Sequence, residues 1–320
     1  MAQTAQDRVS LVLASDENYA LWMGVVIFSC LDKTAHPALL DFYILDAGIS
    51  PSTRSRLERL VANYRATLTW IAPDRNRFQG FPLKRYGIAT YYRLAVASLV
   101  PRHLNKVIYL DCDLLVARDI VELWQSPLDG NIIGAVENLG VSPKDIDIDR
   151  QDYFNAGVLL IDLAAWRDGD IEAALFERMS TLNERLQYLD QDVLNLVFRQ
   201  RWTRLPLRWN LQPSAWSKVE KNKTVQTGYP HREFVTALRE PGIIHFLAKS
   251  KPWKFPTFHP YKQTYLEISH QLFPDAIESN KVTAMEKLTR LWQVEKHIKN
   301  FFRNRKSGAI RYTVPPQRQR

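Results

Sequence analysis

The first third of the chain alternates short apolar runs with longer helical segments. Apolar runs at residues 9–14, 41–45 and 67–71 predict strands, because a buried strand is a short run rich in branched and aromatic side chains. The segments between them predict helices at residues 21–31 and 50–64. Strands that alternate with helices predict a parallel sheet covered on both faces, which is an α/β fold.

The same alternation continues through the rest of the chain. Residues 88–100 predict a helix that ends at Pro101, and residues 107–110 (VIYL) predict the buried strand that follows. Later runs predict strands at residues 131–136, 153–162 and 243–247 and helices at residues 119–124, 163–179 and 190–198. The longest nearly uninterrupted apolar run, residues 20–31, is shorter than the ~18 to 20 residues that cross a bilayer. The pattern therefore predicts a folded domain without a membrane-spanning helix.

Charge and amphipathicity set the last part of the chain apart. Residues 296–320 contain eight Lys or Arg and no acid, and so hold eight of the nine net positive charges. A nucleic-acid-binding domain would carry its positive stripe within the fold, so we expect no nucleic-acid partner. Residues 283–303 predict a helix with an apolar face beside a basic edge, which either docks on an anionic membrane surface or packs on the protein body. We therefore expect a main domain at residues 1–260 and a helical, basic segment at residues 261–320.

Length and composition fit an ordinary globular protein of 320 residues, 46% of them hydrophobic. The sequence MAQTAQDR at the amino terminus has no basic region followed by an apolar core, so we expect no secretory signal. Two cysteines, Cys30 and Cys112, are too few for a disulfide framework. We expect a cytoplasmic location, with the basic tail as the means of peripheral attachment to the inner face of the cytoplasmic membrane.

Two aspartates directly follow the predicted strand at residues 107–110. Asp111 and Asp113 are two positions apart, so in an extended chain they point the same way and can converge on one divalent cation. Open α/β sheets bind ligands at the carboxyl ends of their strands, which favours a metal and diphosphate site. An Asp-x-Asp pair is also common as a loop or helix cap. Cys112, between the two, is interpreted as a spacer rather than as a reactive thiol.

Polar residues occur near other predicted strands. Asp16, Asn18 and Tyr19 lie in the turn after the first strand and suit a nucleoside, although Asp16 equally suits a helix cap. Arg93 is a lone charge in an apolar helix, and it lies on an exposed face, forms a structural ion pair or reaches the metal site. His245 lies in an apolar strand, where a core role is the common one, but the basic loop after it (AKSKPW) suits a diphosphate.

Two further pairs of residues are candidates for contact with a ligand. Asn155 and Gly157 begin the predicted strand at residues 153–162, where small residues let a ligand approach the backbone closely. Asp190 and Gln191 begin the predicted helix at residues 190–198, where capping alone would explain Asp190.

Taken together, these segments resemble the retaining glycosyltransferases of family 8, in particular the bacterial lipopolysaccharide and lipooligosaccharide galactosyl- and glucosyltransferases. The resemblance covers about residues 9–253. It rests on ASDENY at 14–19, LDAGIS at 45–50, FPL at 81–83, TYYRL at 90–94, YLDCDLLV at 109–116, FNAGVLLID at 154–162, DQD at 190–192 and HFLAKSKPW at 245–253. It implies a GT-A fold, with a Rossmann-like, mostly parallel sheet flanked by helices, that binds a UDP-sugar with Mn²⁺ or Mg²⁺.

The resemblance also implies roles for single positions. The implied uridine contacts are Asp16, Asn18 and Tyr19. The implied metal ligands are Asp111, Asp113 and His245, and the imidazole suits Mn²⁺ better than Mg²⁺. The rest of the implied donor site comprises Arg93, Cys112, Asn155, Ala156, Asp190, Gln191, Ala248 and Lys251, with Lys251 on the diphosphate. The family usually has glycine where this chain has Ala248, whose methyl group would crowd the diphosphate.

The implied activity is transfer of a hexose, galactose or glucose, to a glycan or lipid-linked saccharide acceptor in the synthesis of lipopolysaccharide or another surface glycan. Arg93, Asp190 and Gln191 are the implied catalytic residues. An amide oxygen is a weak nucleophile and Asp190 a better one, and we favour same-face attack on the donor sugar. Loops at residues 76–86 and 139–152 are expected to select the acceptor.

Two alternatives from other classes stay open at this point. A haloacid-dehalogenase-type phosphatase also places Asp-x-Asp after a strand, but its motif usually opens the chain and continues with Thr, where Leu115 stands here. A non-catalytic protein that binds a nucleotide sugar at a membrane surface would have nearly the same sequence features.

Overall fold

The computed structural model describes residues 8–83, 87–140, 146–220, 224–247, 251–253 and 259–275. Its strands are β1 (Val9–Ser15), β2 (Leu40–Asp46), β3 (Thr67–Ile71), β4 (Lys106–Leu110), β5 (Leu114–Val116), β6 (Ile133–Glu137), β7 (Phe154–Asp162), β8 (Trp202–Arg204) and β9 (Ile243–His245). Its α-helices are α1 (Glu17–Lys33), α2 (Pro51–Ala62), α3 (Val96–Leu99), α4 (Ile120–Trp124), α5 (Leu163–Asp168), α6 (Ile171–Leu182), α7 (Asp190–Val197), α8 (Ser214–Glu220), α9 (His231–Arg239) and α10 (Lys262–Leu272).

The main sheet has the strand order β3-β2-β1-β4-β7-β6-β8. Neighbouring strands from β3 to β4 are parallel, as are β6 and β8, whereas β7 is antiparallel to both of its neighbours. The prediction of an α/β fold with a mostly parallel sheet is therefore confirmed. Because β7 runs in the opposite direction, its first residues lie at the same edge of the sheet as the last residues of β1 and β4.

A second sheet of two strands pairs β5 with β9. The pairing is antiparallel and places Leu114 opposite His245. The backbone N–H of Phe246 then donates to the carbonyl oxygen of Asp113, at 2.9 Å. This small sheet therefore joins a late part of the chain to the segment that follows β4.

Helix α1 is buried along most of its length, because residues 20–31 are almost wholly apolar. A Cβ at Gly24 would lie 2.6 Å from a ring carbon of Phe273, so the end of α10 packs directly on α1. The ring of Tyr265 in α10 also lies near that of Trp22, with centroids 6.5 Å apart. The predicted domain boundary at residue 260 stays a prediction, because residues 276–320, including the predicted helix at 283–303 and the basic tail, lie outside the described residues.

Two predicted helices differ from those observed. The predicted helix at residues 163–179 is two helices, because Gly169 ends α5 and Asp170 has a left-handed φ of 50° before α6 begins. The predicted helix at residues 88–100 is a 3₁₀-helix over Ile88–Ala95 that continues as α3. Its aromatic and β-branched residues are weak helix formers, and the guanidinium of Arg93 donates to the carbonyl of Thr90. No helix in the described part of the chain is long and apolar enough to cross a membrane.

Candidate active site

Asp111, Asp113 and His245 meet where β4 ends. The backbone N–H of Asp111 donates to the carbonyl of Gly157 at the start of β7, at 2.8 Å, and the β5–β9 pairing brings in His245. His245 Nε2 lies 3.1 Å from Asp113 Oδ1 and 3.8 Å from Asp111 Oδ2. These three side chains form the group of possible metal ligands found within the described residues.

The chemistry of this group fits a divalent cation. His245 is fully buried, and burial lowers its pKa to about 4 against the opposing effect of Asp111, so the ring is neutral at pH 7. Its buried Nε2 has no hydrogen-bond partner among the described residues, although a carboxylate oxygen lies 3.1 Å away. A cation bound between these two atoms would give both of them a partner. One imidazole nitrogen with carboxylate oxygens is a donor set that Mn²⁺ accepts.

Gly157 has no side chain, and two of the candidate metal ligands, His245 and Asp111, occupy the space where its Cβ would lie. A Cβ at this position would lie 2.2 Å from His245 Cε1 and 2.7 Å from Asp111 Oδ2. Real Cβ atoms do not approach other heavy atoms so closely, and Gly157 lies inside the buried strand β7, whose backbone cannot easily shift. The glycine is therefore required for both ligands to stand where they do.

Arg93 is the buried cation at the centre of the site. Its guanidinium contacts Asp111 Oδ1 at 2.7 Å and Asp190 Oδ2 at 2.9 Å, and it donates to the carbonyl of Ala156 at 2.6 Å. The ring of Tyr109 lies beneath it, 4.6 Å from the guanidinium carbon. The structural ion pair and the reach to the metal site, which the sequence left as alternatives for Arg93, therefore occur together.

Lys251 is the second cation at the site. Its ammonium forms an ion pair with Asp113 and donates to the carbonyl of Phe246 at 2.6 Å. The lysine therefore stands beside the metal ligands, where a diphosphate bound to the cation would lie within its reach. Ala248, the other predicted residue of this loop, lies outside the described residues.

Asp190 and Gln191 begin α7 and face the start of β7. Burial raises the pKa of Asp190 to about 6, against the lowering effect of Arg93. One oxygen of this carboxylate is paired with Arg93 and the other accepts a hydrogen bond from Thr90, at 2.9 Å. The Gln191 side-chain oxygen accepts from the backbone N–H of Ala156, at 3.1 Å. Both side chains are thus held in place by hydrogen bonds.

The predicted uridine contacts lie at the start of α1. Asp16 caps this helix, since its Oδ1 accepts from the backbone N–H of Tyr19 at 3.3 Å, and its Oδ2 accepts from Asn18 at 3.1 Å. Asn18 is exposed, and the half-buried ring of Tyr19 packs edge-on against Trp253. Trp253 in turn stacks on Trp22, with centroids 4.6 Å apart. The segment that carries Lys251 is thereby anchored beside the start of α1.

Cys112 is the spacer that its position suggested. Its thiol is buried and donates to the carbonyl of Ala14, at 3.2 Å. Burial raises the pKa of this thiol to about 12, so it stays protonated at neutral pH. The side chain therefore faces the core beside β1, and the two flanking aspartates face the site.

Sequence reasoning missed two buried polar residues at this site. Asn210 Oδ1 lies 2.9 Å from Nδ1 of His245, and the hydroxyl of Tyr153 accepts a hydrogen bond from Gln191. Neither belongs to a motif that indicates its partner. Asn155, which was predicted, connects the two, because it contacts both Asn210 and Gln191.

Comparisons with known proteins agree with this fold. The profile of glycosyl transferase family 8 matches residues 10–257. General stress protein A of Bacillus subtilis is 30% identical over 265 residues, which cover 80% of this chain and 91% of that protein. The lipopolysaccharide 1,2-glucosyltransferase of Escherichia coli is 25% identical over 257 residues, 78% of this chain and 74% of that protein.

Solved structures give the same result. The galactosyltransferase LgtC, in complex with donor and acceptor sugar analogues, matches with a TM-score of 0.72 and 28% identity, covering 87% of this chain and 99% of that one. The match to the family profile over residues 10–257 excludes the phosphatase that the sequence left as an alternative. The chain therefore belongs to glycosyl transferase family 8 and is a retaining glycosyltransferase of the GT-A fold, with a nucleotide-sugar donor and a glycan acceptor.

Proposed function

We propose that this protein transfers glucose or galactose from a UDP-sugar to a glycan or lipid-linked saccharide, in the synthesis of lipopolysaccharide or another surface glycan. The observation that carries the proposal is the convergence of Asp111, Asp113 and His245 beside two cations, Arg93 and Lys251. That arrangement suits a metal-bound diphosphate. The hexose and the acceptor class are suggested by relatives such as the Escherichia coli lipopolysaccharide glucosyltransferase and the galactosyltransferase LgtC.

The proposed metal is Mn²⁺, held by Asp111, Asp113 and His245. The imidazole ligand favours a transition metal over Mg²⁺, which prefers oxygen ligands. When bound, the cation supplies Lewis-acid stabilisation of the negative charge on the departing UDP. Lys251 adds a positive charge at the same phosphates, and Asp16, Asn18 and Tyr19 bind the uridine.

The hydrogen bonds of Asp190 and Gln191 support same-face attack rather than a covalent intermediate. Both oxygens of Asp190 are engaged, by Arg93 and by Thr90, which lowers their availability to attack a sugar carbon. The oxygen of Gln191 is a weak nucleophile and accepts two hydrogen bonds, from Ala156 and Asn155. We therefore propose that these residues orient the donor sugar, and that the departing phosphate accepts the proton of the acceptor hydroxyl.

Turnover and donor selectivity test this proposal together. The purified protein with Mn²⁺ should release UDP from UDP-glucose or UDP-galactose, and the product should have the α configuration by its NMR coupling constant. Calorimetry should show GDP binding at least about tenfold more weakly than UDP, since lost base contacts leave polar groups unpaired. Asn18→Ala should weaken UDP binding, and Asn63→Ala, an equally exposed change at the end of α2, should not.

Three results would contradict the proposal. Equal affinity for UDP and GDP would show that the protein does not recognise the uracil base. A β-linked product would show that the reaction does not retain the donor's α configuration. UDP-sugar binding without release of UDP, across a panel of saccharide acceptors, would favour the non-catalytic alternative.

We also propose that the carboxyl-terminal segment attaches the protein to an anionic membrane surface, where a lipid-linked acceptor would lie. The proposal rests on sequence alone, since this segment lies outside the described residues. Each Lys or Arg near such a surface contributes about 1 kcal/mol, so several of the eight cations at residues 296–320 suffice for reversible binding. The apolar face of the predicted helix at residues 283–303 would add to it.

Cosedimentation with lipid vesicles tests this attachment. The full chain should bind anionic vesicles, bind neutral ones weakly, and dissociate at about 0.5 M salt, where charges are strongly screened. A chain that ends at Val282 should lose most of this binding. Equal binding of the two chains, or binding that salt leaves unchanged, would show that the segment does not act through charge.

A further inference from the structure

We propose that Asn210 is a positioning residue that holds His245 in the tautomer whose Nε2 can bind the metal. The inference rests on the proposed metal site. Asn210 and His245 are both buried, and His245 Nδ1 lies 2.9 Å from Asn210 Oδ1. A neutral imidazole carries its single proton on one of two nitrogens, and only the nitrogen without it can bind a metal.

The orientation of the neighbouring Asn155 amide is fixed by backbone groups. The backbone N–H of Gly157 can only donate, and it lies 3.1 Å from Asn155 Oδ1, so this atom is the amide oxygen. The other end of the Asn155 amide lies 3.1 Å from the side-chain oxygen of Gln191. That oxygen is identified independently, because the backbone N–H of Ala156 donates to it at 3.1 Å. Two backbone donors therefore determine which atom of Asn155 is oxygen and which is nitrogen.

The orientation of Asn210 follows from that of Asn155. Asn155 Oδ1 lies 2.8 Å from the Asn210 amide, and an oxygen requires a donor at that distance, so the facing atom is Asn210 Nδ2. The oxygen of Asn210 must then face His245 Nδ1. Because this oxygen can only accept, Nδ1 carries the proton, and Nε2, on the side of the ring near Asp111 and Asp113, keeps a lone pair that can bind a metal.

The backbone of Asn210 is held as firmly as its side chain. The next residue, Leu211, donates its N–H to the carbonyl of Ile243 at 2.8 Å and accepts from the N–H of His245 at 3.0 Å. Leu211, which follows Asn210, thus forms an isolated β-bridge with Ile244, which precedes His245. The paired backbone segments therefore hold the side chains of Asn210 and His245 next to each other, and no loop movement is needed to form their hydrogen bond.

This network also connects the metal ligand to the donor-sugar side of the site. From His245 the hydrogen bonds pass through Asn210 and Asn155 to Gln191, whose amide donates to the hydroxyl of Tyr153 at 3.1 Å. A change at Asn210 therefore acts on the imidazole directly and on Gln191 through one intervening side chain.

Mn²⁺ titration of Asn210 variants tests the role without an activity assay. Asn210→Ala should weaken Mn²⁺ binding, followed by the electron paramagnetic resonance of free Mn²⁺, by about 10- to 100-fold, as changes of metal-ligand partners do. Asn210→Asp keeps an oxygen toward Nδ1 but loses the amide donor to Asn155 Oδ1, so it should restore only part of the lost affinity. Asn195→Ala is the matched control, since Asn195 is also buried and hydrogen-bonds backbone groups of Phe154 and Gln191 rather than His245. It should destabilise the protein without changing Mn²⁺ affinity.

The proton position is measured separately by ¹⁵N NMR of protein labelled at histidine. In the metal-free parent, His245 should have a protonated Nδ1 and an unprotonated Nε2, with its signals assigned by comparison with His245→Gln. Three results would each overturn the role of Asn210. The first is an Nε2–H tautomer in the parent, and the second is an equal Mn²⁺ affinity of the parent and Asn210→Ala. The third is an equal loss of Mn²⁺ affinity in Asn210→Ala and Asn210→Asp. A parent that binds no Mn²⁺ but has the Nδ1–H tautomer would instead overturn the metal site, and the role with it.

Discussion

Replacing Asp111 or Asp113 by asparagine should lower the turnover of the proposed UDP-sugar donor by at least about 100-fold, because each change removes an anionic ligand of the proposed charge-stabilising cation. The two changes should leave the fold intact. In Asp111→Asn the Arg93 guanidinium keeps Asp190 as its partner, and in Asp113→Asn the Lys251 ammonium keeps the carbonyl of Phe246. UDP release and the thermal unfolding midpoint measure the two effects separately.

Asp162→Asn is the matched control for these substitutions. Asp162 ends β7 at the opposite edge of the sheet, where its carboxylate caps α5 by accepting from the N–H of Ala165, at 2.9 Å. An asparagine can cap a helix equally well, so turnover should be unchanged. If either metal-ligand variant, or the parent in excess EDTA, kept full turnover, the cation would have no part in the reaction.

Gly157→Ala should strongly weaken Mn²⁺ binding and lower turnover through a single added methyl group. That group would overlap His245 Cε1, at 2.2 Å, and press on Asp111 Oδ2, at 2.7 Å, so at least one ligand must move. A metal site tolerates little displacement of its ligands, and we expect at least about 100-fold weaker Mn²⁺ binding. Mn²⁺ titration with a parallel thermal unfolding measurement would show whether the loss lies in the site or in the fold.

Gly140→Ala is the control for this change. A Cβ at Gly140 would come no closer than 3.6 Å to its nearest neighbour, Asn138, which is an ordinary contact. Its Mn²⁺ affinity should equal that of the parent. Unchanged Mn²⁺ affinity in Gly157→Ala would mean that the ligands have more room than the packing around β7 indicates.

The parts of the fold and site that depend on local sequence could be predicted. A short apolar run followed by Asp-x-Asp predicted both β4 and the convergence of Asp111 and Asp113. The resemblance to family 8 added His245 and Lys251, and the structure brings both beside the aspartates. These predictions succeed because strand formation and side-chain alternation are properties of neighbouring residues.

The rest depends on contacts between distant parts of the chain. Asn210 lies 35 positions before His245 and 55 after Asn155, and no spacing rule relates residues so far apart. An apolar run also predicts a strand without its direction, so the reversal of β7 could not be predicted. The break between α5 and α6 depends on the left-handed backbone at Asp170, a residue that ordinarily adopts helical angles as well.

The reversal of β7 has a consequence for how such a domain can diversify. Because β7 begins at the candidate site, the connection from β6 that precedes it lies at the same edge of the sheet, and the turn that follows it lies at the far edge. The candidate metal ligands lie in other parts of the chain, directly after β4 and in strand β9. If this connection selects the acceptor, as its sequence position leads us to expect, changes of its length and composition should alter the acceptor without displacing the candidate metal ligands.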